Sequence, residues 1–94
     1  MITSKAVLPT AHGRKYLGQL CKHFAHKIEV EYSDSEGTCA LPTGPARLYA
    51  GDTDIRMEVD VESPEDLPRA QGIIESHILR FAFRENIDKL EWTD

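Results

Sequence analysis

Residues Leu20–Lys27 read Leu-Cys-Lys-His-Phe-Ala-His-Lys, which gathers one thiol and two imidazoles into a single basic run. Thiolate and neutral imidazole are the side chains that ligate borderline metals, so Cys21, His23 and His26 invite comparison with a zinc cluster. Helix geometry argues against all three acting together. At 100° per residue, Cys21 and His23 point about 200° apart, to opposite sides of the axis. His23 and His26, three residues apart, share a face and can hold a metal as a pair. Zinc takes three or four ligands, so His77 or a second chain would have to complete the set. A cysteine nucleophile is the other chemistry on offer, and it needs a partly exposed thiol in an electropositive setting. Cys21 instead falls between Leu17 and Phe24 on an apolar stripe, which predicts a buried, inert thiol. Cys39, in a short strand, reads as a small hydrophobe.

Two further clusters carry charge in unusual places. Thr10-Ala-His12-Gly-Arg14-Lys15-Tyr16 opens a helix with cations, which oppose the helix dipole. Free backbone N–H groups with His12, Arg14 and Lys15 are what a phosphate or carboxylate would use, so this is a candidate anion site. The simpler outcome is pairing with the chain's own carboxylates. On a second helix, His77, Arg80 and Arg84 lie within roughly 60° of arc and form one polar ridge. Tyr16, Gln19 and His23 form a comparable flank on the first. If the helices run antiparallel, these flanks either face each other or both face outward. Facing, they make a groove in which Tyr16, His23, His77, Arg80 and Arg84 hold a small ligand. The arginines would grip carboxylate or phosphate in bidentate fashion, and the histidines would tie binding to pH. The simpler outcome is a hydrogen-bonded His77 and salt-bridged arginines, with Glu85 a candidate partner.

The elements that must position these groups are legible from periodicity. Residues 3–8 suit a strand ending at Pro9, with Ala6 and Leu8 on one face. Thr10 can cap a helix running to about Ala25, with Leu17, Leu20, Cys21 and Phe24 at the 3.6-residue period. Lys27–Tyr32 alternates, Thr38–Leu41 and Ala46–Ala50 are short strands, and Asp54–Val61 is the clearest strand, with Ile55, Met57, Val59 and Val61 on one face. Ser33–Gly37, Pro42–Pro45 and Gly51–Asp54 are turns by composition. Ser63-Pro-Glu-Asp opens a second helix, although Pro68 moves its regular part toward Leu67. Leu67, Ala70, Ile74, Ile78 and Phe81 form its stripe, Asn86 can stop it in a left-handed conformation, and Leu90–Trp92 can add an edge strand.

The expected fold is α+β: a two-layer sandwich in β-α-β-β-β-β-α order, with a mainly antiparallel sheet of four or five strands and two helices on one face. Its core should contain Leu8, Leu17, Leu20, Cys21, Phe24, Ile28, Val30, Leu48, Ile55, Met57, Val59, Leu67, Ile74, Ile78 and Phe81. Glu29, Glu31, Glu58, Asp60 and Glu62 should form the solvated outer face.

At 94 residues the chain is expected to be a single domain (1–94), and 40% hydrophobic with 29% charged residues is an ordinary globular balance. No apolar run approaches a membrane span, and the first residues lack the apolar core of a signal peptide. Two cysteines without a secretory context read as reduced thiols in the cytoplasm. Net charge is −5, and residues 1–28 hold five Lys or Arg and no acid. The overall acidity argues against nucleic acid as a partner. No oxygen-rich calcium loop is present, and no cofactor can be named from the sequence.

Leu20-Cys-x-His-x-x-His-Lys27 and His77-x-x-Arg-Phe-Ala-x-Arg-Glu85 resemble a small bacterial family of unknown function, found alone and as an appendage of siderophore-interacting flavin reductases. The resemblance covers nearly the whole chain, including Ile55–Val61. It implies a standalone α+β domain in an iron-related setting, without a reaction. The fold order is also similar to the TATA-box-binding-protein-like pattern, which says nothing of function. Together these readings point to a non-catalytic binding or accessory module for a small anionic or metal-chelating ligand. The first alternative is a homodimeric interaction module, suggested by Phe83, Tyr49 and Trp92 at exposed positions. An enzyme of unknown class comes behind both, since no nucleophile or general base is placed.

Overall fold

The structure, a computed structural model, describes residues 1–87 and 89–93. Strand β1 (Ile2–Pro9) leads into helix α1 (Gly13–Phe24), followed by β2 (Val30–Tyr32), β3 (Glu36–Leu41), β4 (Gly44–Ala50) and β5 (Asp54–Val61). A 3-10 turn at Pro64–Asp66 precedes α2 (Leu67–Phe81), and β6 (Trp92–Thr93) comes last. The strands form one sheet in the order β2-β3-β4-β5-β1-β6, with every neighbouring pair antiparallel. Six strands are present where four or five were expected. The additional one is recruited by α2: Glu75 Oε1 accepts from the Leu90 amide at 2.8 Å and from Trp92 Nε1 at 3.3 Å. That carboxylate draws the last segment against β1, where Trp92 pairs with Ala6.

Both helices pack on one face of the sheet, α1 over β2–β5 and α2 over β5 and β1. The period-2 pattern of β5 sends Ile55, Met57, Val59 and Val61 into the core, against Leu17, Leu20, Ile74 and Ile78 from the helices. Each such side chain contributes about 1.5–3 kcal/mol on burial, so this layer dominates stability. Cys21 reaches the sheet where β3 has no side chain: a Cβ on Gly37 would stand 2.6 Å from Cys21 Sγ.

Several local expectations need correction. Helix α1 begins three residues after Thr10, because the Thr10 hydroxyl accepts the His12 amide at 3.0 Å and closes a turn there instead. The strand expected from Lys27 is only Val30–Tyr32, since Lys27 and Ile28 still donate back to the Phe24 carbonyl at 2.9 Å. The turn after it is tighter than composition suggests, and Glu36 and Gly37 already pair with β4. Ile28, Val30, Leu67 and Phe81 are half-buried at the margins of the core. The 3-10 turn absorbs Pro64, which places Pro68 at the second position of α2, where no amide partner is lost. A second 3-10 turn, Phe83–Glu85, follows α2 and stops at Asn86 in the left-handed region (φ 57°). On the outer face Asp60 is only 6% exposed and is therefore no part of a solvated surface.

Candidate functional site

Helix α1 ends at Phe24, and its last turn brings His23 against the middle of α2. The rings of His23 and His77 lie 5.0 Å apart between centroids, tilted by 43°. Phe24 stands 4.9 Å from His77 and Phe81 stands 6.0 Å from His23, giving the pair apolar walls. The polar flanks of the two helices thus face each other. His77 Nδ1 sits 2.6 Å from the carbonyl oxygen of Ile73, one turn earlier. A carbonyl can only accept, so Nδ1 carries the proton and neutral His77 keeps its lone pair on Nε2.

The surroundings of this pair are cationic. Desolvation lowers the proton affinity of His23 below the ordinary value near 6.5, and His77, Lys27, Arg80 and His26 lower it further. A histidine whose folded pKa is depressed favours the neutral form, so its contribution to stability is present above about pH 6.5 and is lost as pH falls through the folded value. Thermal denaturation should accordingly show a loss of stability between pH 7 and pH 5.5 that His23→Gln flattens. A variant retaining the full acid dependence would place its origin elsewhere.

Farther along the helix pair stands an acid, Glu85. Tyr16, expected on the polar flank of α1, is only 4% exposed. Its hydroxyl donates to Glu85 Oε2 at 2.8 Å, and the same oxygen accepts from Thr10 Oγ1 at 2.8 Å. These bonds, the Tyr16 one foremost, hold the Glu85 carboxyl below its usual range, with His12 adding to the effect. Burial and the same carboxylate push the Tyr16 phenol upward. Glu85 therefore serves the two hydroxyls, and Arg84 lies over the Phe83 ring at 5.5 Å. Glu85→Ala should cost about 1–2 kcal/mol by orphaning the buried Tyr16 hydroxyl, whereas Glu85→Gln, which keeps an acceptor, should cost less. Chemical denaturation of the two variants measures the difference.

The anion trio at the start of α1 is divided. His12 faces Tyr16, with ring centroids 6.1 Å apart. Arg14 donates to Asp52 Oδ1 at 2.6 Å on the surface, and Lys15 shares with Arg14 a cleft that also includes Gly18 and Tyr32. His26 lies beyond the end of α1, in the turn that leaves it. Among the described residues no group of three or more His, Cys, Asp or Glu could hold a metal ion. Cys21 and Cys39 are free and buried. Contact with Cys39 and burial raise the Cys21 thiol well above the ordinary range.

Of the five residues expected to line a groove, His23 and His77 meet and Arg80 is near enough to act on His23, whereas Tyr16 is bonded to Glu85 and Arg84 is near enough to act on Tyr16. Thr10 and Glu85 escaped sequence reasoning as a unit because they are 75 positions apart. A second network was equally hidden on the outer face, where Arg47 bridges Glu58 and Asp60. Its sequence signal is one arginine on β4 facing two acids, two residues apart, on the neighbouring strand β5.

Residues 5–93 match the profile of a family described as an uncharacterized protein conserved in bacteria, DUF2218. The NMR structure of PA4090 from Pseudomonas aeruginosa is similar over 99% of this chain and 94% of that one, with 27% identity and a TM-score of 0.79. No curated protein matches the chain. Neither description names a ligand or a reaction. No helix among the described residues is long and apolar enough to cross a membrane.

Proposed function

The chain belongs to the DUF2218 family of conserved bacterial proteins, and from that premise we propose that it is a non-catalytic binding module whose interhelical groove takes a small anionic metal chelate. The observation that carries this reading is the meeting of His23 and His77 at 5.0 Å, with His77 Nδ1 held by Ile73 and its Nε2 left as the lone-pair donor. Two imidazoles with no adjoining carboxylate among the described residues are a partial coordination sphere, so a metal there needs further ligands from a chelator. Lys27, Arg80 and His26 around the pair disfavour a bare dication and favour a complex with net negative charge. Farther along the helix pair, beside Tyr16, Glu85 makes an anion unwelcome. An iron-related setting is part of this reading through the resemblance to domains appended to siderophore-interacting flavin reductases. Two free thiols fit a reducing compartment, the cytoplasm.

The test is NMR shift mapping of the full chain against Zn²⁺, phosphate, citrate and zinc citrate. Zinc citrate should move His23, His77 and Arg80 together and more strongly than metal or citrate alone. His77→Ala should weaken that binding about tenfold or more. Resonances of His23, His77 and Arg80 unmoved by every probe would remove the reading.

Phe83 favours a second reading, a homodimeric interaction module, because it is 68% exposed on the turn after α2. Sedimentation at high micromolar concentration should then give a dimer that Phe83→Ser dissociates; a monomer throughout rejects it.

A further inference from the structure

We propose a second small-molecule site on the other side of α1, where Arg14, Lys15, Gly18, Tyr32, Ser33 and Asp34 enclose an open-sided cleft of about 450 Å³ suited to a planar aromatic phosphate of the mononucleotide type. Two locally unfavourable choices and an exposed aromatic converge there, and local rules are broken most often at functional sites. The first is Gly18, a glycine inside a helix, which costs helix stability relative to alanine. Packing does not require it, because nothing lies within 4 Å of where its Cβ would stand. The missing side chain instead leaves a floor between the first turn of α1 and the edge strand β2.

The second is the charge of that first turn. It holds Arg14 and Lys15 and no acid, against the helix dipole. Lys15 makes none of the ion pairs among the described residues. Among the described residues Arg14 pairs with Asp52 alone, and both partners are largely exposed, so the contact is easily exchanged for a ligand oxygen. Two exchangeable cations one turn from a glycine floor suit a phosphate.

The third is Tyr32, which ends a three-residue edge strand and is 48% exposed. Tyr32 lines the cleft and offers an aromatic face, while Ser33 and Asp34, which also line it, supply acceptors for an exocyclic amino group. The two cations suit a phosphate, Tyr32 suits a flat ring, and the acceptors suit its amino substituent. The His23–His77 groove lies beyond the apolar stripe of α1, so this site does not depend on it.

The full chain is titrated with AMP, GMP, adenosine and inorganic phosphate and followed by NMR. A nucleotide should shift the Gly18 amide and the Tyr32 ring while leaving His77 in place, and should bind more tightly than adenosine or phosphate alone. Lys15→Gln should weaken binding about tenfold, the worth of one charge-assisted hydrogen bond. Gly18→Leu should abolish it by filling the floor, whereas Gly18→Ala should keep the fold and raise Tm. Absence of shifts at Gly18 and Tyr32 with both nucleotides overturns the site. Phosphate binding as tightly as nucleotide overturns the aromatic ligand, and undiminished binding by both Gly18→Leu and Lys15→Gln overturns the placement.

Discussion

Arg47→Ala is expected to destabilise the protein by about 3 kcal/mol, the order found when one partner of a buried ion pair is removed. Arg47, on β4, donates through Nη1 to Asp60 Oδ2 at 2.6 Å and through Nη2 to Asp60 Oδ1 at 3.0 Å. Its Nε and Nη2 also reach Glu58 Oε1 at 3.2 and 3.1 Å. The Asp60 side chain is only 8% exposed and that of Arg47 31%, so the acid would be left in a poorly solvated place when the arginine goes. Thr3 would remain as its donor, at 2.7 Å. The pH dependence supplies the sharper test. In the intact protein the Arg47 hydrogen bonds hold the Asp60 carboxyl below its ordinary value near 3.8. That contribution is present above the ordinary value and is lost as pH falls through the depressed one. Without Arg47 the burial of Asp60 is offset mainly by Thr3 and its pKa rises, so the variant should lose ground as pH increases. Urea denaturation at pH 7 and pH 4 should find the deficit larger at pH 7. The double variant Arg47→Met/Asp60→Leu should recover most of the loss, since apolar replacements of buried pairs are often neutral or better. A deficit below about 1 kcal/mol at pH 7 would mean the pair behaves as a solvated surface bridge.

Gly44→Ala is expected to cost at least about 3 kcal/mol, from two sources that act together. Gly44 follows the two-residue turn between β3 and β4 with φ at 134°, a region closed to residues that carry a Cβ. Any Cβ there would also run directly into the backbone carbonyl oxygen of Asp60 on β5. A flexible side chain could swing aside, but β5 is held on both edges, by β4 and by β1. For a chain of this size the loss corresponds to a fall in Tm of about 12 °C or more. Gly18→Ala makes the natural control in the same scan, because open space at Gly18 predicts a change of opposite sign. A fall of only a few degrees for Gly44→Ala would show that the turn can relax into another type.

Period and composition alone determined the order of elements, the two-helix face, and the inward set Ile55, Met57 and Val59, because those signals are local and repeat within one element. The late start of α2 and the left-handed Asn86 were legible for the same reason, since proline and asparagine act on their own backbone. The rotational match between the flanks bearing His23 and His77 was legible too, as an either-or: facing or turned outward. Only the tertiary structure chose, because the choice depends on how α1 and α2 sit on the sheet. It likewise decided that Tyr16 is buried, that Glu85 takes hydroxyls rather than arginines, and that Asp60 hides behind Arg47. The first two are contacts between elements far apart in the chain and the third joins neighbouring strands; all depend on where the helices sit and how the strands pair rather than on local periodicity. Glu75 is the plainest instance. Nothing around it in the sequence marks it, yet it tethers Leu90 and Trp92 and so sets the sixth strand in place.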